Sequence, residues 1–302
     1  MISLIQLGTV DYPTALSLQQ QLVALRKEEK IGDVLLLLEH KPVITLGRNA
    51  KAANVIASPE LLAQRGVELH ECDRGGDVTF HGPGQIVGYP IFDLRAHAPG
   101  AADAACPERS RRVRRGEAQP RPDSPVRKTL GAVDFVRRLE QVLIRTCADF
   151  AIPTKRVPGL TGVWTNPSNA HVETAASAVH RSEARPPANP ESKLAAIGVH
   201  ISRSVTSHGF ALNVNTDLSY FNFIIPCGIT SKPVTSMQQE LGRTLDLNAV
   251  AESISRNFGV VFQNQILWVE TLDSLLGHPV GVPLKPPTEL RQLHKDDDSS
   301  RA

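Results

Sequence analysis

The chain has 302 residues, with 33 Lys and Arg against 31 Asp and Glu, and its formal net charge is +2. With 41% hydrophobic and 21% charged residues, the composition excludes a disordered or collagen-like chain and allows a sizeable core. No apolar run approaches the roughly 20 residues of a membrane span, and the first residues lack a signal-peptide pattern. Four widely spaced cysteines form neither a disulfide framework nor a CxxC metal site. We therefore expect a cytoplasmic protein with free thiols and no membrane association.

The charge is unevenly distributed along the chain. Residues 95–128 include nine basic and four acidic side chains, a net +5, which leaves −3 for the rest. This segment could attract nucleic acid or an acidic protein, but no aromatic residues for base stacking are interleaved with its arginines. We expect a solvated loop and no nucleic-acid partner.

Apolar periodicity predicts the secondary structure of the first third of the chain. In chain order, the predicted elements are a strand at 2–5, a helix at 13–30, strands at 34–39 and 43–46, a short helix at 59–64, a strand at 67–72, a glycine-rich loop at 74–84 and a strand at 85–92.

Two stretches without apolar periodicity, at about 97–127 and 166–191, interrupt the second part of the chain and are expected to be mobile insertions. Around them, the predicted elements are a helix at 133–150, a strand and turn at 159–164, strands at 194–201 and 210–214 with a turn near 207–209, and helices at 247–257 and 263–276.

The order of these elements shows no regular βαβ alternation, which favours an α+β fold over a doubly wound sheet. We predict a mixed β-sheet flanked by helices. A single catalytic domain would span residues 1–276, and residues 277–302 would form a C-terminal extension that ends in a polar tail.

The glycine-rich loop is the densest functional signal in the sequence. Four glycines lie within 74–84 together with Arg74, Thr79 and His81, so the backbone there can approach a ligand closely. A GxGxxG frame or a Gly-Lys-Ser/Thr ending would indicate a phosphate loop, and neither is present. The alternative is an ordinary tight connection between two strands.

Two further side chains are candidates for chemistry. Cys227 follows an apolar strand end and a proline, which would hold a thiol at a turn, although a lone cysteine is more often a small buried residue. Lys193 introduces an apolar strand and would act as a base if it were buried, although such a lysine is more often a solvated strand end. The histidines lack metal-ligand spacing, so we predict no metal.

Together, four segments resemble the lipoyl(octanoyl) transferase family. They are RGGDVTFHGPGQ at 74–85, KLAAIG at 193–198, SHGFALNV at 207–214 and PCGI at 226–229. The resemblance covers about residues 1–94 and 130–275, and it implies that family members lack counterparts to the two predicted insertions. It also implies the α+β fold that biotin and lipoate protein ligases share, with a mixed sheet flanked by helices.

The resemblance assigns a role to each matching residue. Cys227 matches the nucleophile that takes the octanoyl chain as a thioester, and Lys193 matches the lysine that lowers the pKa of that thiol. The remaining matches are to substrate-binding positions, namely Arg74, Gly75, Gly76, Asp77, Val78, Thr79, Phe80, His81, Ala196, Ile197, Gly198, Gly209, Phe210 and Ala211.

The implied reaction moves an octanoyl group from octanoyl-acyl carrier protein to lipoyl domains of 2-oxoacid dehydrogenases and to glycine cleavage H protein, with no cofactor. An acidic carrier protein would need a local basic patch, for which Arg74, Lys193 and Arg203 are candidates. Two alternatives remain. One is an ATP-dependent lipoate or biotin protein ligase of the same fold, and the other is a non-catalytic binding module that uses the basic segment.

Overall fold

The structure is a computed structural model that describes residues 1–97, 129–166, 191–226 and 232–276. The two predicted insertions and the C-terminal extension therefore lie almost wholly outside the described residues. Within the described ranges, no helix has the length and hydropathy that a membrane span requires.

An eight-stranded mixed sheet forms the centre of the molecule. Its strands, in sheet order, are β11 (Ile266–Trp268), β1 (Ile2–Val10), β2 (Asp33–His40), β6 (Gln85–Ile91), β10 (Val205–Asn213), β9 (Lys193–Ser202), β8 (Leu160–Thr165) and β7 (Thr154–Val157). β1 is parallel to β2 and β11, and the remaining neighbours are antiparallel. Residues 34–38 of β2 are buried on both faces, as expected for a central strand.

A three-stranded sheet lies beside the large one and bears directly on the candidate site. It contains β3 (Val43–Leu46), β4 (Glu68–Glu71) and β5 (Val78–His81), with β3 in the middle. Its own core includes Ile44 and Phe80.

Helices cover both faces of the large sheet. They are α1 (Tyr12–Lys27), α3 (Ala132–Asp149), α4 (Met237–Leu241), α5 (Leu247–Phe262) and α6 (Leu272–Leu276), whereas α2 (Pro59–Gln64) packs on the small sheet. Apolar residues of α3 and α5 share one core with one face of the sheet, and those of α1 share a second core with the other face. The α+β class, the mixed sheet and the flanking helices are thus as the sequence predicts.

Local chemistry explains where α1 begins and ends. Its first turn is capped by the Asp11 carboxylate, which accepts a hydrogen bond from the Thr14 N–H at 2.9 Å, and Pro13 occupies the first turn, where no N–H is required. After Glu28, the left-handed backbone of Glu29 (φ 59°) turns the chain toward β2.

Three local predictions are wrong. Residues 78–81 form β5, where a continuous loop was expected, because they pair with β3. Residues 207–209 lie inside β10, since the chain reverses at Arg203 and Ser204, both with positive φ. The helix predicted at 263–276 is replaced by β11 and α6, because Gln263 ends α5 in a left-handed conformation and β11 then pairs with β1.

Glu140 is a buried carboxylate that ties α3 to the β7–β8 hairpin. It accepts hydrogen bonds from Arg137 at 2.7 Å, from Arg156 at 3.0 Å and from the backbone N–H of Gly162 at 3.2 Å. Because Glu140→Ala removes the shared acceptor from two cations and a buried N–H, we expect the free energy of unfolding to fall by about 2–3 kcal/mol.

Urea denaturation of the wild type and the variant measures this change, and the two m-values should be the same. Glu28→Ala, which breaks the exposed pair between Glu28 and Lys30, is the control and should change the unfolding free energy by less than about 0.5 kcal/mol. Equal effects of the two substitutions would show that Glu140 does not hold the hairpin.

Candidate active site

The floor of the candidate site is a patch of very small residues on β9 and β10. Ala196 lies directly opposite Ala211, and Gly198 lies opposite Gly209. On a sheet face with ordinary side chains this space would be filled, whereas here it forms part of a cleft of about 480 Å³. The cleft is on the face of the large sheet that α1 covers, and Tyr12 of α1 contributes to its wall.

The glycine-rich segment forms the opposite wall of this cleft. The backbone N–H of Gly75 donates to the carbonyl oxygen of Val199 at 3.1 Å, which fixes the segment against β9. A Cβ atom at Gly198 would stand 2.5 Å from the carbonyl oxygen of Gly75, so this close approach requires glycine at 198.

Arg74 holds the segment in shape from inside the protein. Its guanidinium donates to the carbonyl oxygen of Thr45 at 2.7 Å, to that of Asp77 at 2.6 Å and to that of Gly75 at 3.1 Å. The side chain is 8% exposed, and no ion pair among the described residues includes it. A buried positive charge satisfied by neutral oxygens therefore lies in the cleft wall.

The alternation of β5 divides the predicted binding residues into two groups. Thr79 and His81 point into the cleft. Val78 and Phe80 point the other way into the core of the small sheet, where Phe80 stacks on Tyr220 at 4.7 Å between ring centroids.

Asp77 is also turned away from the cleft. Its carboxylate accepts from Asn54 Nδ2 at 2.5 Å and from the backbone N–H of Val78 at 2.8 Å. Asp77, Val78 and Phe80 thus shape the segment and do not line the cleft.

His81 belongs to a buried polar chain that runs toward the start of β9. Gln85 donates to Asn213 Oδ1 at 2.8 Å, so its Oε1 atom is the acceptor that faces His81 Nδ1 at 2.7 Å. Asn213 in turn donates to the carbonyl oxygen of Thr235 at 3.0 Å, and the N–H of Thr235 donates to the carbonyl oxygen of Lys193 at 3.0 Å. Burial lowers the pKa of His81 to about 3, so its ring is neutral at pH 7.

A second neutral histidine supports the cleft wall from behind. His40 Nδ1 donates to the carbonyl oxygen of Val10 at 2.8 Å, and the Tyr89 hydroxyl donates to His40 Nε2 at 2.6 Å. Burial lowers the pKa of His40 to about 4 and raises the pKa of Tyr89, which keeps this tautomer and the phenol in place. Tyr89 lines the cleft.

A second hollow of about 280 Å³ adjoins the cleft and shares Thr79, Ala196 and Ala211 with it. Lys193 lines this second hollow, and so does Pro226, the residue that precedes Cys227 in the sequence. Cys227 itself lies outside the described residues. The lysine and the segment that leads to the predicted nucleophile therefore meet at one end of the cleft.

Lys193 is an inward-facing lysine and not a solvated strand end. Its side chain is 8% exposed, and its Nζ atom lies 5.5 Å from the centroid of the Trp164 ring. Gly162 packs against its stem, since a Cβ atom there would stand 3.0 Å from Lys193 Cε. The backbone N–H of Lys193 donates to the carbonyl oxygen of Pro233 at 2.8 Å.

Lys232 lies close by and has a different environment. Its Nζ atom is 5.7 Å from the Trp164 ring centroid, and it pairs with Glu191. Glu191 also pairs with Lys155 at 2.8 Å, and the hydrogen bonds from Lys155 and Lys232 hold the pKa of Glu191 below its usual range. The Trp164 ring thus has one buried lysine and one surface ion-paired lysine beside it.

Two other cysteines lie within the described residues. Cys147 is fully buried in α3, and burial raises the pKa of its thiol to about 12, so it is inert at neutral pH. Cys72 is half-buried and donates to the carbonyl oxygen of Leu46 at 3.3 Å. Neither lines the cleft or the second hollow, whereas Cys106 lies outside the described residues.

The structure brings most of the predicted binding residues together around the cleft. Those that line it are Arg74, Gly75, Gly76, Thr79, His81, Ala196, Ile197, Gly198, Gly209, Phe210 and Ala211. Four more lining residues were missed by the sequence reasoning, namely Tyr12, Val87, Tyr89 and His208. Only His208 carried a signal, since it lies in a segment that resembles the family.

The basic surface patch predicted from Arg74, Lys193 and Arg203 is wrong for two of its three members. Arg74 and Lys193 are buried and face inward, and Arg203 alone is exposed. A patch of exposed charge cannot be built from side chains that the fold turns toward its own cavities.

Comparisons with known proteins identify the family of this chain. The model of the lipoyl protein ligase A/B catalytic domain matches residues 11–104 and 124–259. Both ranges fall inside residues 1–276, the predicted extent of the catalytic domain. An octanoyltransferase from Koribacter versatilis is 54% identical over 297 residues and covers 98% of each chain, and one from Acidobacterium capsulatum is 49% identical over 278 residues and covers 91% of this chain and 96% of the relative.

These alignments also correct one expectation. The Koribacter relative is nearly as long as this chain and is aligned across almost all of it, so family members do not all lack counterparts to the two predicted insertions.

Solved structures support the fold at low sequence identity. A bi-partite lipoate protein ligase from Thermoplasma acidophilum matches with a TM-score of 0.56 at 11% identity, over 99% of this chain and 93% of its own. Lipoate-protein ligase A bound with ATP matches with a TM-score of 0.55 at 11% identity, over 99% and 95%. Taken with the family model and the close relatives, the chain belongs to the octanoyltransferases, acyltransferases built on the lipoyl protein ligase A/B catalytic domain.

Proposed function

We propose that this chain transfers an octanoyl group from octanoyl-acyl carrier protein to a lysine of lipoyl domains through a thioester on Cys227. The observation that carries the proposal is that Lys193 and Pro226, the neighbour of Cys227, line one hollow at the end of the cleft. The acceptors would be the lipoyl domains of 2-oxoacid dehydrogenases and glycine cleavage H protein.

In the first half-reaction, Lys193 takes the proton of the Cys227 thiol, and the thiolate attacks the carbonyl carbon of the donor thioester. A carbon–sulfur bond forms to Cys227, the bond to the carrier's thiol breaks, and that leaving thiolate takes the proton back from Lys193. The acyl-enzyme then holds its apolar chain in the cleft over the small residues of β9 and β10.

In the second half-reaction, the amine of the acceptor lysine attacks the thioester carbonyl. The new amide nitrogen loses a proton to Lys193, and Cys227 leaves as a thiolate. One site thus serves two protein substrates in turn, which predicts ping-pong kinetics. No step consumes ATP, and this separates the proposal from a ligase of the same fold.

The test is a mass measurement on the full chain. Incubation with octanoyl-acyl carrier protein in the absence of ATP should raise the intact mass by one octanoyl group, and peptide mapping should locate that group on Cys227. Addition of a lipoyl domain should then discharge it.

Cys72 provides the internal control, because it is partly accessible but lines neither the cleft nor the second hollow. An octanoyl group that appears on Cys72, or one that appears on the lipoyl domain only when ATP is added, would contradict the proposal.

A further inference from the structure

Three hollows follow one another along the paired strands β9 and β10. The second hollow contains Lys193 and Ala211, the cleft contains Gly198 and Gly209, and a third, open groove of about 780 Å³ lies beyond them. Lys193 and His200, which borders the groove, are roughly 23 Å apart along β9. The row runs from the proposed reactive end to the outer surface beside α1.

His208 is the only described residue that lines both the cleft and the groove. Its side chain is 3% exposed, and its Nε2 atom lies 2.7 Å from Asp73 Oδ1. Its backbone N–H donates to Gln19 Oε1 of α1 at 2.8 Å. The imidazole therefore lies between the two spaces, and Asp73 on the groove side holds its ring in place.

The groove behind this imidazole has a mixed lining. Apolar side chains of α1, such as Leu16 and Val23, border it together with Asp73, Ser202 and Ser207. An apolar chain that enters the groove takes a carboxylate and hydroxyl groups out of contact with water, so the groove favours such a chain less than the cleft does.

We propose that the Asp73–His208 pair closes the distal end of the acyl cleft and thereby sets the acyl-chain length that the enzyme accepts. The inference rests on the proposed function, because it takes the Lys193 end of the row as the site of the thioester. The chain then extends over Ala196 and Gly198, and its methyl end meets the imidazole. Longer chains would have to displace His208 and enter the groove.

The backbone of His208 supplies a suitable test variant. Its φ of 53° lies in the left-handed region, which glycine adopts without strain, so His208→Gly removes the wall and leaves the strand conformation available. Asp73→Ala is the second variant, since Asp73 is 58% exposed and its loss frees the imidazole without opening the core. Glu68→Ala is the matched control, because Glu68 is 53% exposed and pairs with His70 at 2.8 Å, and neither residue lines the cleft or the groove.

The experiment measures acyl transfer to a lipoyl domain from carrier proteins loaded with chains of six to fourteen carbons, in direct competition. For His208→Gly, the ratio of dodecanoyl to octanoyl product should rise on the order of tenfold or more, as expected when a pocket stops rejecting extra methylenes. Asp73→Ala should shift the ratio in the same direction, and Glu68→Ala should retain the wild-type profile.

Each other outcome has a distinct meaning. An unchanged profile in both variants, or an equal loss of transfer at every chain length, would overturn the assignment. Asp73 and His208 would then support the fold or the transfer step itself and would not select the chain length. If the wild type forms no acyl-enzyme with any chain, the proposed function fails instead.

Discussion

Replacing Cys227 by alanine should abolish octanoyl transfer, and replacing Lys193 by methionine should slow formation of the acyl-enzyme by about 10²- to 10⁴-fold, the range that positioned acid–base groups contribute. Methionine keeps the unbranched apolar stem of the lysine as far as Cε and can still pack against Trp164 and Gly162. The substitution therefore removes the ammonium group and leaves the hollow filled. Single-turnover acylation followed by intact mass gives the rate.

Lys232→Met is the matched control for this prediction. Both lysines place Nζ within 6 Å of the same indole ring, at 5.5 and 5.7 Å, but Lys232 pairs with the partly buried Glu191 and does not line the second hollow. If proximity of a cation to Trp164 were what matters, both substitutions would slow the reaction alike. We expect Lys232→Met to retain a rate within about threefold of wild type, because its ammonium group is held by Glu191 and takes no part in proton transfer. Equal rates for Lys193→Met and wild type would remove Lys193 from the chemistry.

Much of this site was accessible from the sequence because its signals are local. An apolar stretch such as 34–38, followed by a turn with a proline, is typical of a buried strand, and a dense run of glycines at 74–84 indicates backbone that a ligand can approach closely. The floor of the cleft was also foreseeable, since Ala196, Gly198, Gly209 and Ala211 were all among the predicted binding residues. Their pairing across two strands explains why small residues are needed on both.

The parts that could not be predicted depend on contacts between distant segments. Tyr12 reaches the cleft because α1 packs on β10, and β11 exists because residues 266–268 find the free edge of β1. The reversal at Arg203 and Ser204 carries no glycine or asparagine, so its positive φ angles leave no trace in composition. The sequence also could not show that Val78 and Phe80 point into the core of the small sheet. Their direction follows from the pairing of β5 with β3, which are separated by more than 30 residues in the chain.

The buried histidines should make the protein sensitive to mild acid. Burial lowers the pKa of His40 to about 4 and of His81 to about 3, from about 6.5 in the unfolded chain. Below pH 6.5 the unfolded state binds two protons that the folded state does not, so the stabilisation is complete above that pH and is lost as the pH falls. Burial also lowers the pKa of His208, although the hydrogen bond from its ring to Asp73 opposes this effect.

We expect the free energy of unfolding to decrease by about 2.7 kcal/mol per pH unit between roughly pH 6 and 4.5, since each proton contributes about 1.4 kcal/mol per unit. The total, about 5 kcal/mol from pH 7 to 4.5, is comparable with the whole stability of many domains. Urea denaturation at half-unit intervals of pH measures it. Carboxylates whose pKa is lowered, such as Asp33, add to the loss only at lower pH.

Substitution of one histidine distinguishes this pH-dependent loss of stability from a loss that is the same at every pH. His40→Gln should halve the slope, whatever it costs at pH 7, because one of the two proton-binding groups is gone. Leu62→Ala, a non-titrating change in the core of the small sheet, should lower the stability at pH 7 by about 2–4 kcal/mol and keep the full slope. A wild-type unfolding free energy that is constant between pH 6.5 and 4.5 would mean that His40 and His81 do not stay neutral in the folded protein. The hydrogen-bond network from His81 to Lys193 would then begin with a charged imidazole, in which both ring nitrogens are donors.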